Sequence, residues 1–138
     1  MSESRRIVMI HAIEVALGIR KEDPRLLFTE KVTAWSPNII ATSLEELEAA
    51  FADRNEAVSN VAVAITGLDV VDNKAFAEWV LQADHTGPLL LDDIRIQPTN
   101  RRLQLGGATI AEFDGHRISA FRTYFDAVAL IEQMTDDL

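Results

Sequence analysis

Beyond Asn55 the chain reads as a series of long extended runs, and these constrain the fold more than any other feature. The runs are "AVSNVAVAITGLDVV" (57–71), "KAFAEWVLQADHT" (74–86), "RRLQLGGATIAEF" (101–113) and "HRISAFRTYF" (116–125). Asp72-Asn73 reads as the turn between the first two, and Asp114-Gly115 as a hairpin turn between the last two. "GPLLLDDIRIQPTN" (87–100) reads as an irregular connection, and Gly106-Gly107 as a bulge or bend. Sequential runs joined by tight turns predict antiparallel pairing.

The N-terminal part has a different period. Residues 4–19 are apolar around most of a helical circumference, with Gly18 near the end. Asp23 can cap a second short helix through "PRLLFTE", with Pro24 at its first position. "KVTAW" then reads as a strand, stopped by "SPN". Residues 42–54 carry the clearest helical signal. Ser43 is an N-cap, Glu46 completes a capping box, and Leu44, Leu47 and Phe51 share a face. Asp126 caps a last helix, "AVALIEQM". Helices segregated from strands predict an α+β fold. A strongly bent antiparallel sheet wrapped around the first helix would enclose a cone, a natural small-molecule pocket.

The 138 residues suit a single domain, 1–138, without repeats or linkers. The absence of cysteine excludes disulfides, thiolate metal sites and cysteine nucleophiles, and fits a reducing cytoplasm. A net charge of -9 opposes nucleic-acid binding, and the pairs Arg5-Arg6 and Arg101-Arg102 are too short to reverse it. Residues 7–19 are too short to span a bilayer and contain His11 and Glu14, so neither a membrane span nor a signal peptide is expected. Asp92-Asp93 lacks further ligands, and no metal or cofactor is expected.

Alternation splits each strand into two faces. Ala75, Ala77, Trp79, Leu81, Ala83 and His85 form one face, apolar until its last member, and are assigned to the interior. Phe76, Val80 and Ile110 belong to an outward face too apolar for an unshared surface, which predicts a homodimer. On the last strand Ser119, Phe121, Thr123 and Phe125 share the inward face, while Ile118, Ala120, Arg122 and Tyr124 share the other. The expected pocket lining is Trp35, Trp79, Leu81, His85, Phe121, Thr123 and Phe125. His11 reads as the polar edge of a helix, His116 as a solvated turn residue. His85 is the one candidate proton carrier, since an imidazole titrates near neutral pH.

The ordered set "AWSPN", "HTG", "PTNRR", "FDGHRI", "FRTYFD" and "EQM" resembles the SnoaL-like branch of the nuclear transport factor two-like superfamily. The superfamily also holds ketosteroid isomerases, limonene epoxide hydrolases and scytalone dehydratases. The resemblance covers almost the whole chain. It implies a cone-shaped α+β fold, an apolar pocket and commonly a dimer formed through the sheet. "FRTYFD" resembles the epoxide-hydrolase pattern "WRDYFD", but Thr123 stands where that pattern has its catalytic aspartate. A bulge would turn Gln82 and Asp84 inward, at the spacing of an arginine and an aspartate in those hydrolases; the glutamine counts against it. Threonine cannot serve as general acid or base at neutral pH. Two functions therefore compete. One is acid–base chemistry on a polyketide- or terpenoid-like molecule through His85. The other is a non-catalytic binding or dimeric association module.

Overall fold

The computed structural model describes residues 2–91 and 93–135. The elements run α1 (Ser2–Ala16), β1 (Phe28–Ser36), β2 (Ile39–Ala41), α2 (Leu44–Asn55), β3 (Val58–Val71), β4 (Lys74–His85), β5 (Leu89–Leu91), β6 (Ile94–Ile96), β7 (Arg102–Asp114), β8 (Arg117–Phe125) and α3 (Ala127–Met134). Six strands form one curved, open sheet in the order β2-β1-β8-β7-β4-β3, and β5 and β6 form a separate hairpin. The expected α+β class is what the chain adopts.

The long strands follow the alternation of their side chains. On β4 the buried residues are Ala75, Ala77, Trp79, Ala83 and His85, with Leu81 half-buried in the same row. This row faces α1, whose Met9, Ala12, Ile13 and Ala16 are buried against the sheet. Phe28 links the layers. Its ring packs edge-on against Phe121 at 5.3 Å and tilted against Phe51 of α2 at 6.3 Å. The basic pair near the start of α1 ties down the far ends of the hairpins. Arg5 donates to the Asp72 carbonyl at 2.6 Å and the Gly115 carbonyl at 3.2 Å, and Arg6 to the Leu68 carbonyl at 3.0 Å.

Several expectations are corrected. α1 ends at Ala16, because Gly18 at φ 87 closes it: the Gly18 and Ile19 N–H groups bond back to the Val15 and Glu14 carbonyls. The second helix is a single 3-10 turn, Pro24–Leu26, capped by Asp23. The strand begins already at Phe28, which is fully buried beside Ile118. β1 pairs with β8 in parallel, so the sheet is mixed rather than antiparallel. The connection 87–100 contains the β5–β6 hairpin. Gly106 and Gly107 lie in regular pairing with Val80 and Trp79, without a bulge. A register shift between Glu112 and Phe113 instead sets Ile118 opposite Phe113 and Ala120 opposite Glu112. Ser119 is the extra residue, and Ile118 turns inward to full burial rather than outward.

Candidate ligand site

Between α1, α2 and the concave face of the sheet lies a cavity of two lobes. With their open mouths included, the larger has about 660 Å³ of free space and the smaller about 350 Å³. Leu17, Arg54, Trp79 and Thr123 border both. The wall of the larger lobe is mostly aliphatic, from Leu81 and Ala83 of β4, Leu103 and Leu105 of β7, and Leu130 of α3. Among the described residues, neither lobe is lined by an aspartate, glutamate or histidine.

At the junction of the lobes is a hydrogen-bond chain that crosses three strands. The Trp79 indole N–H donates to Thr109 Oγ1 at 3.0 Å, and Thr109 Oγ1 lies 3.0 Å from Thr123 Oγ1. Either hydroxyl can donate to the other; Thr109 is 2% exposed and already accepts the indole N–H, which favours its hydroxyl as the donor to Thr123 Oγ1. With Thr109 donating, the hydrogen of Thr123 is left for the cavity. The indole fits because its strand neighbour is Gly107; a Cβ there would collide with the six-membered ring of Trp79.

Arg54 supplies the only charge among the cavity-lining residues described. It lies in the last turn of α2 and continues the stripe Leu44, Leu47, Phe51 at helical spacing. Its guanidinium lies over the Phe51 ring at 5.4 Å. The Nη2 atom is buried without a hydrogen-bond partner among the described residues. Burial pushes its pKa down to about 10, which leaves it charged at neutral pH. The sequence reading missed Arg54. The available signal was the helical stripe itself, which runs from three buried apolar residues into an arginine.

His85 is fully buried but lines neither lobe, contrary to expectation. It fastens the segment before β7. Thr99 N–H donates to Nδ1 at 3.2 Å, and Thr99 Oγ1 lies 3.0 Å from the same nitrogen. The Asn100 N–H and the Arg101 carbonyl bond to the His85 backbone. An Nδ1 that accepts from a backbone N–H carries no proton, so the ring is the neutral Nε2–H tautomer. Burial lowers its pKa, partly offset by the polar backbone of Gly87.

The remaining predicted pocket residues divide. Trp79 and Thr123 border both lobes, Leu81 and Phe125 the larger, and Phe121 the smaller. Trp35 borders the smaller lobe, but its neighbours Ala34 and Ser36 are the inward-facing residues of β1. The Trp35 ring is 42% exposed on the outer face, where it meets Tyr124 at 5.2 Å. Asp84 also faces outward. It accepts from Asn60 at 2.8 Å and Arg102 at 3.1 Å, and the Asn60 bond first, then Arg102, lowers its pKa. Asp126 caps α3 by accepting from the Ala129 N–H at 3.0 Å. His11 pairs with Glu22 at 3.2 Å, and His116 is exposed. The Asp92-Asp93 pair falls partly outside the described residues. Among those described, no group of three histidine, aspartate or glutamate side chains is placed to hold a metal ion. No helix among them is long and apolar enough to cross a membrane.

A curved open sheet closed by helices over an apolar cavity defines an α+β cone of the nuclear transport factor two-like kind. A family model described as SnoaL-like polyketide cyclase matches residues 25–134, and the chain belongs to that family. Solved structures agree on the fold. A protein from Jannaschia sp. CCS1, named as a candidate SnoaL-like polyketide cyclase, is 13% identical with a TM-score of 0.86, over 99% of this chain and 95% of that one. TsrD from Streptomyces laurentii is 21% identical with a TM-score of 0.77, over 96% and 95%. An LEH-like epoxide hydrolase from M. tuberculosis is 12% identical with a TM-score of 0.66, over 96% and 86%. None of the curated proteins compared matches the chain.

Proposed function

We propose that this SnoaL-like domain holds a small, largely apolar molecule in the larger lobe and moves no proton with its own side chains. One observation carries the reading: the lining is aliphatic and aromatic, and its polar members do not titrate near neutral pH. His85 is held away from both lobes, and Thr123 supplies a hydroxyl where the epoxide-hydrolase pattern has a carboxylate. The family relationship supports a polyketide- or terpenoid-like body for the ligand, and the cysteine-free composition supports a reducing cytoplasm as its setting. Binding of the neutral fluorophore N-phenyl-1-naphthylamine tests this. Enhanced fluorescence is expected with the unaltered protein and its loss with a folded Leu81→Trp variant, whose indole would fill the larger lobe. Equal enhancement with both proteins, or none with either, contradicts the reading.

A second reading concerns assembly. The outer face of the sheet carries Phe76 at 41% exposure beside half-buried Ile110 and Val80, with the exposed Trp35 and Tyr124 rings farther along. We infer that two copies meet through this face. Sedimentation at micromolar concentration is expected to give a dimer, and Phe76→Glu a monomer. A monomeric unaltered protein contradicts this.

A further inference from the structure

The larger lobe has a property that an apolar container does not need. Its wall holds hydrogen-bond donors and a positive charge, with no carboxylate or imidazole to match them. Arg54 Nη2 is buried and unpartnered, and no acidic side chain pairs with this guanidinium among the described residues. The Phe51 face and the carbonyl end of α2 offset the charge only in part, because neither supplies an acceptor to Nη2. Arg54 as a whole is half-buried, but a charged nitrogen shut off from water without an acceptor is unfavourable, and an anion entering beside the guanidinium would gain a charge-assisted hydrogen bond. With Thr109 as the donor between the two hydroxyls, Thr123 adds a second donor at the same junction. Both residues border both lobes.

We propose that the ligand is an apolar carboxylic acid, its hydrocarbon body in the larger lobe and its carboxylate held by Arg54 and the Thr123 hydroxyl. This rests on the reading that the larger lobe takes an apolar ligand, and adds the ligand's charge. The overall charge of -9 does not favour anions in general, so an anion preference here would come from the cavity wall, where Arg54 is the only charged residue among those described. The low dielectric around the guanidinium strengthens the pairing relative to a surface arginine.

Calorimetric titration with 2-naphthoate and its neutral counterpart 2-naphthamide at pH 7.5 tests the assignment. The expected result is naphthoate binding at least about tenfold more tightly. Arg54→Met should remove that advantage while naphthamide affinity stays within about threefold. A measurement on unaltered protein covers the case in which the variant does not fold: the Arg54 Nε–H resonance should shift markedly further with naphthoate than with naphthamide. Equal affinities in the unaltered protein, an advantage that survives in folded Arg54→Met, or an Nε–H signal that shifts no further with naphthoate than with naphthamide overturns the inference. Naphthamide binding without any preference for the acid overturns it alone. Failure of both probes to bind overturns the cavity reading as well.

Discussion

The hydroxyl oxygen of Thr123 lies 3.0 Å from that of Thr109, which also accepts the indole N–H of Trp79 at 3.0 Å. In Thr123→Val the cavity keeps its shape, but the buried Thr109 hydroxyl loses its acceptor. An unsatisfied buried hydroxyl costs about 1 to 2 kcal/mol, and urea unfolding is expected to show a loss of that order. Unchanged stability would mean that Thr109 donates elsewhere, and that the Thr123 hydrogen is not free for a ligand.

Gly107 and Trp79 are directly paired across β7 and β4, and the indole occupies the space that a side chain at 107 would take. Gly107→Ala is expected to push the ring off its place between the lobes and to destabilise the fold by about 1 to 3 kcal/mol. Loss of near-ultraviolet circular dichroism from the displaced tryptophan would accompany it. A variant with unaltered dichroism and stability would show that the ring has room to move.

What the sequence disclosed and what it hid divide along physical lines. Alternation identified the inward row of β4 and put Phe121 and Thr123 inward on β8, because each side chain in a regular strand is set by its neighbours two positions away. The capping roles of Ser43 and Asp126 were legible for the same reason, since caps are local. Ile118 was misplaced because one extra residue at Ser119 inverts everything before it, and no residue type signals that bulge. The parallel pairing of β1 with β8 joins segments distant in sequence and left no local mark. His85 continued an apolar row correctly, yet the segment around Thr99 packs over it and removes it from the cavity. Arg54 sat on the legible face of α2, but the burial of its Nη2 depends on tertiary packing that leaves no local mark.

His85 should leave a signature in the pH dependence of stability. Its folded pKa lies below the ordinary value of 6.5 because burial disfavours the charged ring. The unfolded chain therefore binds a proton first as pH falls below about 6.5, and stability declines there until the folded ring also protonates. His85→Asn keeps an acceptor near the Nδ1 position without titrating. Its stability profile between pH 7 and 5 is expected to be flatter than that of the unaltered protein. Parallel profiles in chemical denaturation would show that the imidazole is not held in its neutral form.

Arg54→Met removes a half-buried charge whose Nη2 is shut off from water without an acceptor, and replaces it with a flexible apolar side chain. Without ligand, the variant is expected to be at least as stable as the unaltered protein, since breaking no pair leaves nothing behind uncompensated. Thermal unfolding in ligand-free buffer checks this. A loss above about 2 kcal/mol, the scale of a broken charged hydrogen bond, would mean that the guanidinium already has a partner.

The most direct test of an apolar ligand site in this cone is a methyl-resolved NMR titration of the unaltered protein with 2-naphthamide. The largest shifts are expected at the methyl groups of Leu81, Ala83, Leu105 and Thr123, which line the larger lobe, with little change at the exposed Ile40, Val71 and Ile94. Shifts confined to those exposed methyl groups, or no saturable shift at all, would contradict binding in the cavity.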